Sequence, residues 1–196
     1  MDEDRRRALV AHRPLAGLLW GFAEATLFFV VPDLLISWVA MNRGFRAGAW
    51  ASLWAALGAV VGGAVIFLWS THDPVGAHRA VAAVPAVSDR MIAEAQADID
   101  ANGWFIAAMK GPLTSTPYKV YALLAPHARL EGGGAPLAAF APAALPVRLP
   151  RFLLVAAAFA LVGRVFRKRI DRRILLAAFT SGWLLFYLWF WLVHPG

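Results

Sequence analysis

The sequence predicts an all-α integral membrane protein, with two oppositely oriented re-entrant helical hairpins and transmembrane helices in an inverted repeat. Apolar residues make up 60% of its 196 residues, above the roughly 45–50% that is usual in soluble domains. The mean hydropathy is +0.60. Three of the apolar segments carry both proline and ionisable residues, and basic residues cluster between segments. These observations predict a single membrane domain over 1–196.

Three of the apolar segments fit simple transmembrane spans. They cover residues 47–70, 136–163 and 174–193, and a helix needs roughly 20 apolar residues to cross the hydrocarbon core. The first and last of them carry no charged residue. The small residues from Gly58 to Ala64 favour close contact between helices.

The apolar segments at 14–41 and 103–127 do not fit simple spans. They share proline and ionisable residues, namely Glu24, Pro32 and Asp33 in the first and Lys110, Pro112, Pro117 and Lys119 in the second. Proline interrupts a helix, and a charge at bilayer depth is costly, so such backbone is tolerated only where protein or a water-filled cavity surrounds it. We therefore expect two re-entrant hairpins, the first turning near Phe29–Pro32.

The basic residues predict the orientation of the chain. Of the 19 lysines and arginines, 12 lie within 1–13, at Arg43 and Arg46, or in the loop 164–173. The positive-inside rule assigns these three regions to the cytoplasm. If both hairpins return to the membrane face from which they enter, the N-terminus is cytoplasmic and the C-terminus is extracytoplasmic.

The stretch 71–102 lies outside in this topology. It holds five acidic residues but only Arg79 and Arg90 as basic ones. Within it, Val84–Ile99 is predicted to form a surface helix with Met91, Ala95 and Ile99 on one face.

Glu24 and Asp33 are the candidates for proton coupling. They lie nine residues apart in the first predicted hairpin, whose turn brings the two carboxylates toward each other. Acidic residues at membrane depth commonly serve proton relays. The alternative is that Asp33 caps the returning helix and that Glu24 extends to the membrane surface.

The candidates for binding an anion lie in the second half of the chain. A phosphate group needs positive charge and several hydrogen-bond donors. Arg148 and Arg151 bracket Pro150 at what reads as the first turns of the span, where they would share a helix face. Their alternative role is contact with lipid head groups at the membrane surface. The other candidates form one hydroxyl-rich run that ends in a lysine: Thr114, Ser115, Thr116 and Lys119.

The composition argues against several other functions. The chain has no cysteine, and its five histidines show no metal-ligand spacing, so no metal site and no cofactor are predicted. No nucleophile and base are spaced as in an enzyme active site. The basic residues cluster between the apolar segments, as membrane topology requires, and do not form the pattern of a nucleic-acid-binding surface. We expect no nucleic-acid partner; a homo-oligomer is compatible with the sequence.

Three stretches resemble the DedA family, also called the VTT or SNARE-associated domain family. Glu24 with Pro32-Asp33 is similar to its acidic motif, and Gly111 to Val120 resembles the T-P-x-P-Y-K-V run of the small YqaA-like branch. Arg148-Leu149-Pro150-Arg151-Phe152 resembles that branch's G-R-x-x-R-F stretch. Ser115 stands where the branch has proline, and Leu113 and Thr114 stand near the position of a second basic residue in larger members.

This resemblance implies inverted re-entrant hairpins in a bacterial cytoplasmic (inner) membrane. It also implies transport of an anionic lipid such as undecaprenyl phosphate, coupled to protons. By the same resemblance, the functional set is Glu24, Asp33 and Lys119, with Arg148 and Arg151. An energy-independent phospholipid scramblase, a membrane lipid-phosphate enzyme and a non-catalytic assembly factor are the alternatives.

Overall fold

The structure, a computed structural model, describes residues 3–85, 87–128, 134–167 and 169–193, with side chains from Pro14 onward except those of residues 172 and 193. Within these ranges the regular secondary structure is helical. The α-helices are α1 (Glu3–Ala25), α2 (Asp33–Arg43), α3 (Phe45–His72), α4 (Pro74–Ala82), α5 (Asp89–Asn102), α6 (Trp104–Thr114), α7 (Tyr118–Leu124), α8 (Leu137–Phe166) and α9 (Arg172–Val193), and a 3-10 turn covers Ala125–His127.

Helices α3, α8 and α9 are long and apolar enough to cross a membrane. They match the three predicted spans to within three residues at each end. The prediction of an all-helical chain with segments able to span a membrane is therefore confirmed for the described residues. The basic cluster within 1–13 lies where no side chain is described, although α1 runs without a break from Glu3 through Pro14.

The position of Arg148 and Arg151 within their helix differs from the prediction. Helix α8 begins at Leu137 and continues through Pro142, Pro146 and Pro150. The two arginines therefore lie in the middle of a long helix rather than in its first turns. They still share one face, because residues three apart are neighbours on a helix.

The two predicted hairpin segments, 14–41 and 103–127, are each interrupted at one predicted proline, whereas Pro112 lies inside α6 and does not interrupt it. Residues 26–32 separate α1 from α2, and Pro32 caps the start of α2. Residues 115–117 separate α6 from α7, with Ser115 in the left-handed conformation at φ 60° and Pro117 extended. Each break ends in a proline that starts the next helix, as expected for proline at a helix N-terminus.

Glycines allow α1 to lie directly against α3. A Cβ atom on Gly58 would lie 2.0 Å from the carbonyl oxygen of Leu18, and one on Gly62 would lie 2.9 Å from Ala25 Cβ. Residues further along α1 thus contact residues further along α3, so the two helices run in the same direction. The predicted role of the small residues around Gly58 is confirmed.

Helix α8 runs in the opposite direction along α3. The rings of Phe67 and Phe140 lie 5.2 Å apart, whereas a Cβ on Gly48 would lie 3.0 Å from Ala156 Cβ. Helix α7 follows the last part of α3, since the Ser70 hydroxyl donates to the Leu123 carbonyl at 2.7 Å. Helix α3 is therefore the axis on which both broken segments and α8 are assembled.

The predicted helix at Val84–Ile99 is shorter at its start. It begins at Asp89, because the Ser88 side chain caps the helix by accepting from Met91 N at 3.2 Å. Its buried face consists of Ile92, Ala95 and Ile99. Met91 was wrongly placed on that face.

Replacing Gly58 by alanine should destabilise the fold by about 1–3 kcal/mol, because the added methyl group collides with backbone that cannot move independently. Thermal unfolding in detergent micelles measures this effect. Gly182→Ala on α9 is the matched control, since nothing lies within 4 Å of a Cβ there. Equal melting temperatures for the two variants would contradict the packing described above.

Candidate functional site

The two helix breaks meet inside the protein. Lys119 lies in the first turn of α7, directly after the break at 115–117, and only 1% of it is exposed. Its Nζ donates a hydrogen bond of 2.7 Å to the carbonyl oxygen of Phe28, within the break at 26–32. That carbonyl is available because no helix forms over residues 26–32. The lysine thus joins the interrupted backbone of one segment to that of the other.

Two ion pairs flank the first break. Arg148 Nη2 lies 2.5 Å from Glu24 Oε2, and Arg151 Nη2 lies 3.0 Å from Asp33 Oδ2. Glu24 is near the end of α1 and Asp33 begins α2, so one face of α8 bridges the two helices. Both carboxylates are buried, with 5% and 3% exposed. The sequence-predicted candidates for proton coupling and anion binding are therefore brought together.

Glu24 and Asp33 each lie against their own arginine, because α8 inserts Arg148 and Arg151 at the two ends of the break. Glu24 Oε2 contacts Arg148 without hydrogen-bond geometry, and the buried Asp33 Oδ1 has no hydrogen-bond partner in the described part of the chain. Asp33 therefore keeps one oxygen available for a donor.

The cluster carries more positive than negative charge. Lys119, Arg148 and Arg151 face only Glu24 and Asp33, and among the described residues no carboxylate lies within salt-bridge distance of Lys119. The Arg148 guanidinium also lies over aromatic rings, 5.7 Å from the centre of Tyr118 and 5.1 Å from that of Phe152. A buried lysine without a carboxylate partner among the described residues suits the binding of an anion.

A cavity of about 370 Å³ opens beside this cluster, within the size range of ligand sites. Its polar lining includes Glu24, Lys119, Arg148 and Arg151, and its apolar lining comes partly from α9. Within the described ranges, no group of three or more histidine, aspartate or glutamate side chains could hold a metal ion.

The predicted hydroxyl residues are only partly at the cavity. Ser115 and Thr116 line it, whereas Thr114 does not. The Thr114 hydroxyl instead contacts the Gly111 carbonyl at 3.3 Å and the Thr116 hydroxyl at 3.0 Å. Lys110 lies apart from the cluster and pairs with Asp98 at 2.7 Å.

Sequence reasoning missed Tyr187 on α9. Its hydroxyl accepts a hydrogen bond of 3.0 Å from the backbone N–H of Val31 in the first break. All three tyrosines of the chain, Tyr118, Tyr121 and Tyr187, line the cavity. The sequence feature that could have indicated this role is the phenol hydroxyl within a largely apolar span, since buried tyrosine usually finds a hydrogen-bond partner.

No family model, curated protein or solved structure matches this chain. The resemblance to the DedA family therefore stays a prediction.

Replacing Arg148 by glutamine should cost about 3–5 kcal/mol of stability, because it leaves the Glu24 carboxylate buried without a compensating charge. The double variant Glu24→Gln with Arg148→Gln should recover most of that loss. Unfolding in mixed micelles measures both.

Arg90→Gln is the control for this pair, because Arg90 and Glu94 form an exposed ion pair on α5 and exposed pairs contribute little. No change is expected there. If the double variant were as unstable as Arg148→Gln alone, the proposed compensation between Glu24 and Arg148 would be refuted.

Proposed function

We propose that this protein is a transporter that moves an anionic lipid, such as undecaprenyl or another polyprenyl phosphate, across a bilayer. The observation that carries the proposal is a cluster of three cations and two carboxylates beside a cavity, in a chain whose long helices are apolar. Its buried Lys119 has no carboxylate partner within the described part of the chain. An anionic head group would complete the charge balance of the cluster. Lys119, Arg148 and Arg151 would bind it, with hydroxyl donors from Ser115 and Thr116.

The helix packing supports re-entrant hairpins as the architecture of this transporter. The end of α1 contacts Gly62 and the start of α7 contacts Gly63, away from both ends of α3. Helix α2 then returns to a tight turn at Gly44, next to the start of α3, so α1 and α2 enter and leave on one side. Helices α6 and α7 form the corresponding hairpin from the other side. Such inverted repeats place binding sites where broken helices meet.

The orientation follows from the basic residues. We assign the loop 164–173, the turn at Arg43 and Arg46, and the N-terminus to the cytoplasm of a bacterial inner membrane. The C-terminus is then extracytoplasmic. The two hairpins open toward opposite faces, which suits access to the site from either leaflet.

Protons are the proposed coupling ion. Glu24 and Asp33 lie on either side of the break at 26–32, and the buried Asp33 Oδ1 has no hydrogen-bond partner among the described residues. The arginine at Asp33 is also more accessible than the one at Glu24, since 43% of the Arg151 side chain is exposed. Asp33 is therefore the carboxylate better placed to exchange its partner for a proton.

The test of transport is reconstitution in vesicles with a fluorescent polyprenyl phosphate. Lys119→Ala should lower the transbilayer rate by about tenfold or more, because a charge-assisted hydrogen bond contributes roughly 1.5–3 kcal/mol. Lys110→Ala is the matched control, since Lys110 pairs with Asp98 outside the cavity. Equal rates for wild type and Lys119→Ala would remove this site from the proposal.

Coupling is tested in the same vesicles with an imposed pH gradient. The wild type should move lipid faster with the gradient than without it, and Asp33→Asn should lose this difference while the protein stays folded. A wild-type rate that ignores the gradient would refute proton coupling. It would favour an energy-independent scramblase using the same cavity.

A further inference from the structure

Helix α9 is attached to the protein differently from α1 and α8, which also line the cavity. None of its described side chains is fully buried. Helix α8 is held by two ion pairs and α1 by glycine contacts with α3. Helix α9 has no comparable close approach, and a Cβ on its Gly182 would meet nothing within 4 Å.

Aromatic contacts hold α9 in place. Phe179 packs against Trp38 at 5.2 Å between ring centres, and Phe29 packs against Tyr187 at 6.4 Å and Trp191 at 5.8 Å. The hydrogen bond from Val31 N to the Tyr187 hydroxyl adds one polar contact. Such contacts can separate and reform without leaving a charge buried alone, unlike the ion pairs on α8.

The cavity therefore has two chemically different kinds of lining. Lys119, Arg148 and Arg151 provide positive charge, and Phe186, Trp189 and Phe190 of α9 provide aromatic surface. A small inorganic anion would use only the charged residues. A molecule with an anionic head and an apolar chain would use both kinds of lining.

We propose that α9 binds the apolar chain of the ligand and is the side wall through which that ligand enters from the bilayer. The apolar chain of the lipid lies against Phe186, Trp189 and Phe190, and its head group reaches the cationic side chains of the cluster. Entrance and exit require α9 to separate from Phe29 and Val31, breaking the Tyr187 hydrogen bond. This inference rests on the proposed function, since it concerns the same lipid phosphate.

Binding of the lipid's apolar chain is tested with two probes that share a phosphate head group, a ten-carbon isoprenoid phosphate and methyl phosphate. Phe186→Ala with Trp189→Ala should weaken binding of the isoprenoid phosphate by about tenfold through lost apolar contact, and leave methyl phosphate unchanged. Leu185→Ala with Leu188→Ala is the matched control, because both leucines are exposed on α9 and do not line the cavity.

The binding results separate the two proposals. Equal losses for both probes, or no loss for either, would overturn the role of α9 in binding the chain. If neither phosphate bound to the wild type, the proposed function itself would fail.

Side entrance is tested by tethering α9. The chain has no cysteine, so Phe29→Cys with Trp191→Cys can be linked selectively by a short reducible dithiol-reactive crosslinker. Linking should reduce lipid movement by about tenfold or more and reduction should restore it, both measured on the same protein. Asp98→Cys with Lys110→Cys, linked between α5 and α6, should move lipid at the same rate before and after reduction.

Unchanged lipid movement in the linked Phe29–Trp191 variant would overturn α9 as the moving wall. If that variant does not fold, Val31→Cys with Tyr187→Cys tethers the same contact and has the same expected outcome. A protein that moves no lipid even without the crosslinker, and in the wild type, would instead refute transport.

Discussion

Compensation of buried charge is the constraint on which the arrangement of helices depends. An unpaired ion in an apolar interior costs several kcal/mol, so each carboxylate beside the first break requires a cation at a fixed position. Arg148 and Arg151, three residues apart on α8, meet this need for Glu24 on α1 and Asp33 on α2. Helix α8 must therefore lie across the break, and its continuity through three prolines keeps both guanidinium groups on one face.

Close backbone packing on α3 supplies the second constraint. Gly58 and Gly62 allow α1 to approach so closely that Ala25, and with it Glu24, reaches the interior. Gly63 likewise receives the ring of Tyr118, which places the neighbouring Lys119 against the Phe28 carbonyl. The charged cluster is thus assembled by small residues on α3, a helix that gives the cluster no charged residue of its own.

The sequence predicted the parts of this site that depend on local chemistry. Proline and charge within apolar segments located the breaks, and the cost of intramembrane charge singled out Glu24, Asp33 and Lys119. The pairing could not be predicted, because it depends on the helical rotation that turns Arg148 toward α1 and Arg151 toward α2. Reading Pro150 as a helix start misplaced both arginines, since neighbouring helices let proline persist within a long apolar helix.

The contribution of α9 to the cavity could not be predicted from the sequence either. Its residues fit a simple span, and the cavity side of this helix is identified by tertiary contacts such as the hydrogen bond between Val31 N and the Tyr187 hydroxyl. Thr114, in contrast, was predicted to belong to the site but does not line the cavity. It belongs to a hydroxyl-rich run, but the left-handed turn at Ser115 directs that run so that only Ser115 and Thr116 line the cavity.

The central claim is that one uncompensated cation, sheltered between two helix breaks, selects an anionic head group. Its most direct measurement compares binding of an isoprenoid phosphate and the neutral isoprenoid alcohol of equal chain length to the wild-type protein in nanodiscs. We predict that the phosphate binds at least about tenfold more tightly, equivalent to about 1.4 kcal/mol. Equal affinities for the phosphate and the alcohol would contradict the account.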